Sequence, residues 1–170
     1  GYEMKVPSTW KEYGDLAAFF HRPDARFYGT AIQGKRHEAL WYEWLNFLYS
    51  FGGDMMETDA GSKCGPIIVN SPEAIASLDY YKSLMAYSPP DTLNYFWDDV
   101  MALMQQGKAA QLVLMSVYNG AMDDPKQSKV LGDIQFAEMP KGPSGKRASI
   151  LGLWTIGIGA KSTKKDAAAQ

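Results

Sequence analysis

The sequence predicts an α/β fold that is rich in helix. Residues Ala109–Met115 form a near-continuous apolar run of strand length, which is typical of a strand that is covered on both faces of an α/β sheet. A second segment, Arg26–Ile32, consists of β-forming residues around one glycine. Four stretches with helical periodicity and recognisable start or stop signals lie around these two segments.

The first helix begins with a capping box. Thr9 can accept a hydrogen bond from the amide of Glu12, and the Glu12 side chain can reach back to the start of the helix. The apolar stripe of this helix consists of Tyr13, Leu16, Ala17 and Phe20. After a turn at Pro23, the strand Arg26–Ile32 leads into a polar loop.

The second helix is predicted over Arg36–Phe51 and ends at the glycine pair Gly52-Gly53. Residues 54–63 are polar and rich in glycine, so a loop or hairpin is expected there. The third helix has Ser71 as its cap and Pro72 at its first position. Its buried side is predicted to consist of Leu78, Tyr81 and Met85.

The fourth helix is predicted over residues 95–106, before Gly107. After the buried strand, residues 116–122 are expected to form a short helix or turn, and residues 123–129 a loop. Residues 134–139 alternate as a strand would, and residues 150–158 form a glycine-interrupted apolar strand. The last ten residues are typical of the first turns of a Ser-capped helix that stops before any end signal, so the sequence is expected to be a fragment.

Charge and composition exclude several classes of function. The net charge of −2 gives no clustered basic surface for nucleic acid. No apolar run approaches the ~20 residues that cross a bilayer. The two histidines, His21 and His37, and the single cysteine, Cys64, lack the spacing of metal ligands, so no metal site and no cofactor are predicted.

Catalytic patterns are weak. No Gly-x-Ser-x-Gly nucleophile motif occurs, and the adjacent carboxylate pairs Asp98-Asp99 and Asp123-Asp124 are typical of solvated surface. Glu43, between Tyr42 and Trp44, is the best acidic candidate near aromatic rings, but an exposed helix face is expected for it. No catalytic residue is predicted, and a carbohydrate-active enzyme remains an alternative because such enzymes need only two suitably spaced carboxylates.

Aromatic residues give the clearest functional signal. Five Trp, ten Tyr and seven Phe make up 13% of the chain, and several lie at the predicted ends of helices and strands. The apolar faces of sugar rings stack on such side chains, while neighbouring polar groups bind the hydroxyls. Trp41, Tyr42, Tyr118 and Trp154 therefore favour a groove for a carbohydrate.

The order of motifs resembles the extracellular solute-binding proteins of family 1, which are sugar-type receptors of ABC importers. Six or seven motifs occur in the order and spacing of that family, over most of the chain. The segments that carry the resemblance are Val6–Tyr13, Gly52-Gly53, Asn70–Ala74, Gln106–Ala110, Glu138–Gly142, Leu151–Ile158 and the Lys-rich helix that follows.

This resemblance implies a two-lobed α/β protein of the periplasmic-binding-protein type II, whose lobes close on a ligand. The chain would be a helix-rich lobe with a small mixed sheet. Residues 1–131 would form most of the C-terminal lobe. Residues 132–170 would form the hinge crossing and part of the N-terminal lobe.

The resemblance also implies which residues contact the ligand. Trp41 would be the stacking platform and Arg36 or His37 would bind hydroxyls. Where the family often has Gly-x-Trp, this chain has Ser116-Val117-Tyr118, which leaves Tyr118 as the aromatic ring; its hinge-side Gly-Gly-Trp appears with the second glycine replaced by leucine. The full predicted site consists of Arg36, His37, Trp41, Tyr42, Ser116, Tyr118, Gly152, Leu153 and Trp154.

The expected function is capture of a mono- or oligosaccharide, or a polyol, and its delivery to the membrane permease of an ABC importer. The complete protein is expected to be a monomer without enzymatic activity. It would be periplasmic, or extracellular and membrane-anchored. A receptor for a non-sugar solute, such as a polyamine or ferric ion, is a further alternative, which would require converging acidic or Tyr/His ligands.

Overall fold

A computed structural model describes residues 4–58, 64–152 and 157–169. Six α-helices occur in this part of the chain: α1 (Trp10–Phe20), α2 (Glu38–Phe51), α3 (Pro72–Ser83), α4 (Trp97–Gln105), α5 (Asn119–Met122) and α6 (Lys165–Ala168). Two strands, β1 (Met56–Thr58) and β2 (Cys64–Ile67), form an antiparallel hairpin. Short 3-10 turns lie at Pro23–Ala25, Leu84–Tyr87, Thr92–Asn94 and Ser116–Tyr118. Within these ranges no helix has the length and apolar character needed to cross a membrane.

The starts and ends of α1 and α2 follow the predicted local signals. Thr9 Oγ1 accepts a hydrogen bond from Glu12 N at 3.2 Å, and Glu12 Oε2 accepts one from Thr9 N at 3.3 Å, so the capping box is formed. Helix α2 ends at Gly52, whose φ of 94° is a left-handed conformation that glycine adopts without a Cβ clash.

Helix α3 has the predicted cap, but its predicted buried side is wrong in part. Ser71 Oγ accepts a hydrogen bond from Ala74 N. Leu78, however, is 42% exposed. The buried stripe contains Ala74, Ser77 and Tyr81. Because small side chains at 74 and 77 let α3 approach α2 closely, the contact face lies next to Leu78 rather than on it.

The two long segments predicted as strands are extended but form no continuous ladder. Residues 27–33 run parallel to residues 108–113, with isolated bridges at Tyr28–Ala109 and Ala31–Leu112. Amides between these bridges bind elsewhere, as the Thr30 N–H does at the Tyr87 carbonyl. Among the described residues the predicted mixed sheet is therefore reduced to the β1–β2 pair and isolated bridges, of which these two are parallel.

The segments after residue 131 also differ from the predicted strands. Residues 134–139 are mostly exposed and have no strand assignment. In the predicted strand at 150–158, residues 153–156 lie outside the described residues, and the described ends are not strands. The short helices α5 and α6 agree with the predicted helical turns at 116–122 and after 161. The predicted Ser cap of the last helix is wrong, because Lys164 is the N-cap residue of α6 and no side chain caps it.

The main core joins α1, α2 and α3 through large rings. The Trp10 ring lies 4.2 Å from the Phe47 ring, centroid to centroid, and Tyr81 packs 5.2 Å from Phe47 on the other side. The Trp10 indole Nε1 donates a hydrogen bond to Ser50 Oγ at 2.6 Å. The ring thus buries its apolar surface and also satisfies its polar atom.

A tight turn at residues 141–147 is fixed against both α1 and α2. The Trp10 amide donates to the Lys141 carbonyl at 3.0 Å, and Ser144 Oγ donates to the Ser50 carbonyl at 2.6 Å. A Cβ added to Gly142 would overlap the Ser50 carbonyl oxygen. Ser50 is therefore the point at which α1, α2 and this turn meet.

Candidate functional site

A cavity of about 270 Å³ lies beside the N-terminal half of α2. Its wall contains residues from α2, the first residue of α4, the ends of the two parallel extended segments, and residues 137–139 and 149–150. The polar and aromatic lining residues are Gln33, Tyr42, Glu43, Asn46, Trp97, Ser116, Glu138 and Ser149. The cavity thus combines side chains from parts of the chain that are far apart in sequence.

Glu43 is buried in this wall, which corrects the prediction that it lies on an exposed helix face. Its side chain is 3% exposed. Glu43 Oε2 accepts hydrogen bonds from Gln33 N at 2.7 Å and from Tyr81 Oη at 2.8 Å. Burial raises the pKa of Glu43 to about 8, because desolvation disfavours the charged form more than these two hydrogen bonds favour it.

Asn46, one turn further along α2, connects the cavity wall to a distant segment. Its Nδ2 donates to the carbonyl oxygens of Tyr42 and Glu43 at 3.0 and 3.1 Å. Its Oδ1 accepts a hydrogen bond from Ile150 N at 3.1 Å. One side chain therefore holds the segment around residue 150 against the helix that forms the cavity wall.

Aromatic rings surround the cavity on two sides. Tyr42 lines it and stacks on Trp41, with ring centroids 4.8 Å apart and an angle of 8° between the planes. On the α4 side, Trp97 lines it and lies 4.1 Å from Phe96. The His37 ring meets the Phe96 ring edge-on at 4.5 Å.

The structure brings together two of the predicted site residues, Tyr42 and Ser116, in the wall of this cavity. Tyr118 lies instead with Ser116 in the wall of a larger cavity of about 740 Å³. Trp41 is 45% exposed and does not line either cavity.

The remaining predicted residues that the structure describes do not line either cavity. Arg36 is exposed in the loop before α2, and His37 is the N-cap residue of that helix. Gly152 is exposed. Leu153 and Trp154 lie outside the described residues.

Six polar or aromatic residues of the cavity wall were absent from the predicted site: Gln33, Glu43, Asn46, Trp97, Glu138 and Ser149. A signal existed for two of them. Glu43 and Asn46 fall at helical spacing from the buried residues Ala39 and Phe47, which places them on the inner face of α2. Gln33 and Trp97 border on loops, and their position depends on long-range packing.

The charged groups of the cavity wall are of one sign among its described residues. Its described lining residues include two carboxyl groups, Glu43 and Glu138, but no lysine, arginine or histidine. An anionic ligand would therefore find no positive partner in this wall. Within the described part of the chain, no group of three or more His, Cys, Asp or Glu side chains is arranged to hold a metal ion.

Comparison with known proteins gives consistent results along the whole chain. A family model described as "Bacterial extracellular solute-binding protein" matches residues 1–170. A mannitol-binding protein of Pseudomonas aeruginosa is 32% identical over 169 residues, which are 99% of this chain and 38% of that protein. The chain thus spans about two fifths of the length of the curated relatives it matches.

Solved structures agree with these matches. Maltose-bound T. maritima MalE3 is similar with a TM-score of 0.84 and 31% identity over 99% of this chain and 42% of that one. An ABC transporter solute-binding protein from Agrobacterium vitis S4, with bound D-mannitol, has a TM-score of 0.83 and 28% identity over 99% of this chain and 40% of that one. These similarities confirm the predicted periplasmic-binding-protein type II fold for the region that the chain covers.

Proposed function

Because this chain belongs to the bacterial extracellular solute-binding protein family, we propose that it forms one wall of a groove that binds a neutral sugar or polyol for an ABC importer. The family is one of solute-binding receptors. The relatives and structural neighbours include proteins named for mannitol or solved with maltose or D-mannitol. Mannitol and maltose are both uncharged and carry many hydroxyl groups.

The observation that carries the proposal is the chemistry of the 270 Å³ cavity. Its wall combines the rings of Tyr42 and Trp97 with the neutral polar groups of Gln33, Asn46 and Ser116. Rings suit the C–H faces of a sugar or polyol, and amides and hydroxyls suit its OH groups. The absence of a cation among the described lining residues argues against sugar acids, phosphorylated sugars and amino acids.

The proposed site retains all the residues expected from the sequence and adds the cavity residues that were missed. Tyr42 and Ser116 supply contacts within the cavity. Arg36, His37 and Trp41 do not line the cavity and are proposed to meet the ligand when the groove closes. Further contacts on the hinge side are proposed for Tyr118, Gly152, Leu153 and Trp154.

The mechanism we propose is closure of two lobes around the solute, with the bound ligand favouring the closed population. Residues 1–131 would be most of one lobe, and residues 132–170 would cross to the other. The mostly exposed segment 134–139 is the proposed start of this crossing, and the turn at 141–147 still packs against α1 and α2. In the complete protein, closure would present the solute to permease subunits on the periplasmic or extracellular side, with no chemical change to the solute and with the receptor as a monomer.

Calorimetric titration of the complete protein that contains this chain tests the proposal. D-mannitol, ribitol, a hexose and maltose form the neutral panel, while a sugar acid and an amino acid serve as charged controls. We expect heat of binding with at least one neutral solute and none with the charged ones. Binding of the charged solutes alone would refute the proposal.

The enzyme alternative is tested with the same material. Glycosides incubated with the protein are expected to be recovered unchanged by chromatography. Turnover that is lost in Glu43→Gln would show that the protein is a carbohydrate-active enzyme instead.

A further inference from the structure

The side chain of Gln33 has no function within the fold that accounts for its position. Gln33 is 5% exposed and lines the 270 Å³ cavity. Among the described residues no buried side-chain polar atom lacks a hydrogen-bond partner, and the Gln33 carboxamide forms no hydrogen bond with another described residue. The carboxamide is therefore not enclosed in the core but is accessible from the cavity, where a ligand can bind it.

The backbone of Gln33, in contrast, is held firmly. Gln33 N donates to Glu43 Oε2 at 2.7 Å, and Tyr81 Oη lies 2.8 Å from the same carboxyl oxygen and 3.3 Å from the Gln33 carbonyl. These contacts fix the backbone N–H and the backbone carbonyl of Gln33. The carboxamide is thus presented to the cavity from a rigid base.

The neighbouring residues are fixed in the same way. Thr92 Oγ1 donates to the Ile32 carbonyl at 2.8 Å, and Gly34 N donates to the Thr92 carbonyl at 3.2 Å. A Cβ on Gly34 would lie 2.7 Å from that same carbonyl oxygen, so the chain passes Thr92 at close range. The segment 32–34 therefore has little freedom to turn the Gln33 side chain away from the cavity.

We propose that the Gln33 carboxamide selects the ligand by donating a hydrogen bond to one hydroxyl and accepting one from the adjacent hydroxyl, and that Glu43 and Tyr81 act as positioning residues behind it. This inference rests on the function proposed above and assigns its hydroxyl specificity to a named side chain. A carboxamide offers two donors and one acceptor side by side. Two vicinal hydroxyl groups of a sugar or polyol match this pattern.

Discrimination between solutes follows from the hydrogen bonds that the Gln33 carboxamide would lose. A solute that lacks one of the two hydroxyls would leave a carboxamide group unpaired in the closed groove, and the unpaired polar group is penalised. We expect about 10- to 100-fold weaker binding for such an analogue.

The test uses the complete protein, D-mannitol or whichever panel member the wild type binds, and the series of its monodeoxy analogues. Gln33→Met keeps the shape of the side chain and removes its hydrogen bonds, and the exposed Gln106→Met serves as a matched control. Calorimetry is expected to show about 10-fold or greater weakening for Gln33→Met with the parent solute. The wild type should discriminate against one or two deoxy analogues that Gln33→Met binds as well as the parent.

Three results would overturn the inference. Unchanged affinity of Gln33→Met would show that the carboxamide does not touch the ligand. Equal weakening for every analogue would indicate a general structural effect. A wild type that binds no neutral solute would refute both this inference and the proposed function, whereas the first two results leave the proposed function intact. If Gln33→Met fails to fold, Gln33→Asn, which withdraws the same group by one methylene, is expected to lose the same discrimination.

A separate variant tests the positioning role of Tyr81. Tyr81→Phe removes the Oη contacts to Glu43 and to the Gln33 carbonyl but keeps the ring in the core. We expect this variant to lose discrimination against the same deoxy analogues as Gln33→Met. A variant that is less stable but retains the wild-type pattern of discrimination would show that Tyr81 is only structural.

Discussion

Asn46 Oδ1 accepts a hydrogen bond from Ile150 N across a separation of 104 residues. The same side chain lines the cavity and binds two carbonyls of its own helix. The position of the segment around residue 150 is thereby tied to the cavity wall.

Replacing Asn46 by alanine is expected to destabilise the protein by about 1–3 kcal/mol, because Ile150 N loses its partner in a half-buried setting. Asn46→Asp keeps the accepting oxygen but places a second carboxylate oxygen against the Tyr42 and Glu43 carbonyls in place of the donating Nδ2, so it should lose at least as much. Urea denaturation measures the free energy of unfolding of both variants, and Asn94→Ala, at an exposed position, serves as the control. Equal stabilities for Asn46→Ala and Asn94→Ala would contradict the assigned role of this hydrogen bond.

The buried carboxyl group of Glu43 predicts a dependence of stability on pH. Its pKa is raised from 4.5 in the free side chain to about 8 in the folded protein. The folded state therefore holds this proton more tightly than the unfolded state does. The resulting stabilisation is complete below pH 4.5 and is lost as the pH rises through 8, by about 1 kcal/mol per pH unit in between.

Glu43→Gln removes this titration while it retains an acceptor for Gln33 N and Tyr81 Oη. We expect the difference in stability between wild type and variant to shift in favour of the variant from pH 5 to pH 8. Denaturation midpoints across this range provide the measurement, and the exposed Glu57→Gln should follow the wild type. Parallel curves for wild type and Glu43→Gln would show that the carboxyl group is ionised in the fold.

The turn at 141–147 is expected to be intolerant of side chains at one glycine. Gly142→Ala would place a Cβ on the Ser50 carbonyl oxygen, which is backbone and must move to make room. A loss of roughly 1–3 kcal/mol is expected, as for other overpacked positions. Gly152→Ala is the matched control because no atom lies within 4 Å of its added Cβ. Thermal unfolding should give a clearly lower melting temperature for Gly142→Ala than for Gly152→Ala.

Tyr42 and Trp41 should differ in their contributions to ligand affinity. Tyr42 lines the cavity, whereas Trp41 stacks on its outer side and is 45% exposed. Tyr42→Ala is expected to weaken binding by about 1–3 kcal/mol, and Trp41→Ala by less, because the Trp41 ring does not line the cavity. Calorimetry with the preferred neutral solute measures both. A larger effect of Trp41→Ala would identify Trp41 as the main stacking platform.

The helices could be predicted because their signals are local. The capping box of Thr9 and Glu12 and the cap at Ser71 each involve residues within one helical turn. Gly52 likewise adopts the left-handed conformation that ends α2. Such interactions require no knowledge of the rest of the fold.

The sheet could not be predicted in the same way. Whether Arg26–Ile32 and Ala109–Met115 form a ladder depends on the partners of single amides, and the Thr30 amide binds a carbonyl 57 residues away, at Tyr87. Similarly, Leu78 is exposed because small residues elsewhere on α3 set the contact with α2. Apolar character alone does not contain this information.

Only part of the candidate site could be predicted, because the positions of several of its residues depend on long-range contacts. Tyr42 and Ser116 follow from the family resemblance, and both line the cavity. Glu43 was assigned to solvent because carboxylates are seldom buried, although helical periodicity from Ala39 to Phe47 indicates the inner face. Gln33 reaches the cavity through contacts with α2 and α3 that only the folded chain reveals.

The meeting point at Ser50 has a consequence for the speed of folding. Its hydrogen bonds with Trp10 and Ser144 close loops of 40 and 94 residues. By loop-closure entropy the longer loop is less favourable by only about 0.8 kcal/mol, but neither contact can form until distant parts of the chain have come together. Contacts of long sequence separation slow folding. We therefore expect the individual helices to appear early and the closure at Ser50 to be a late event.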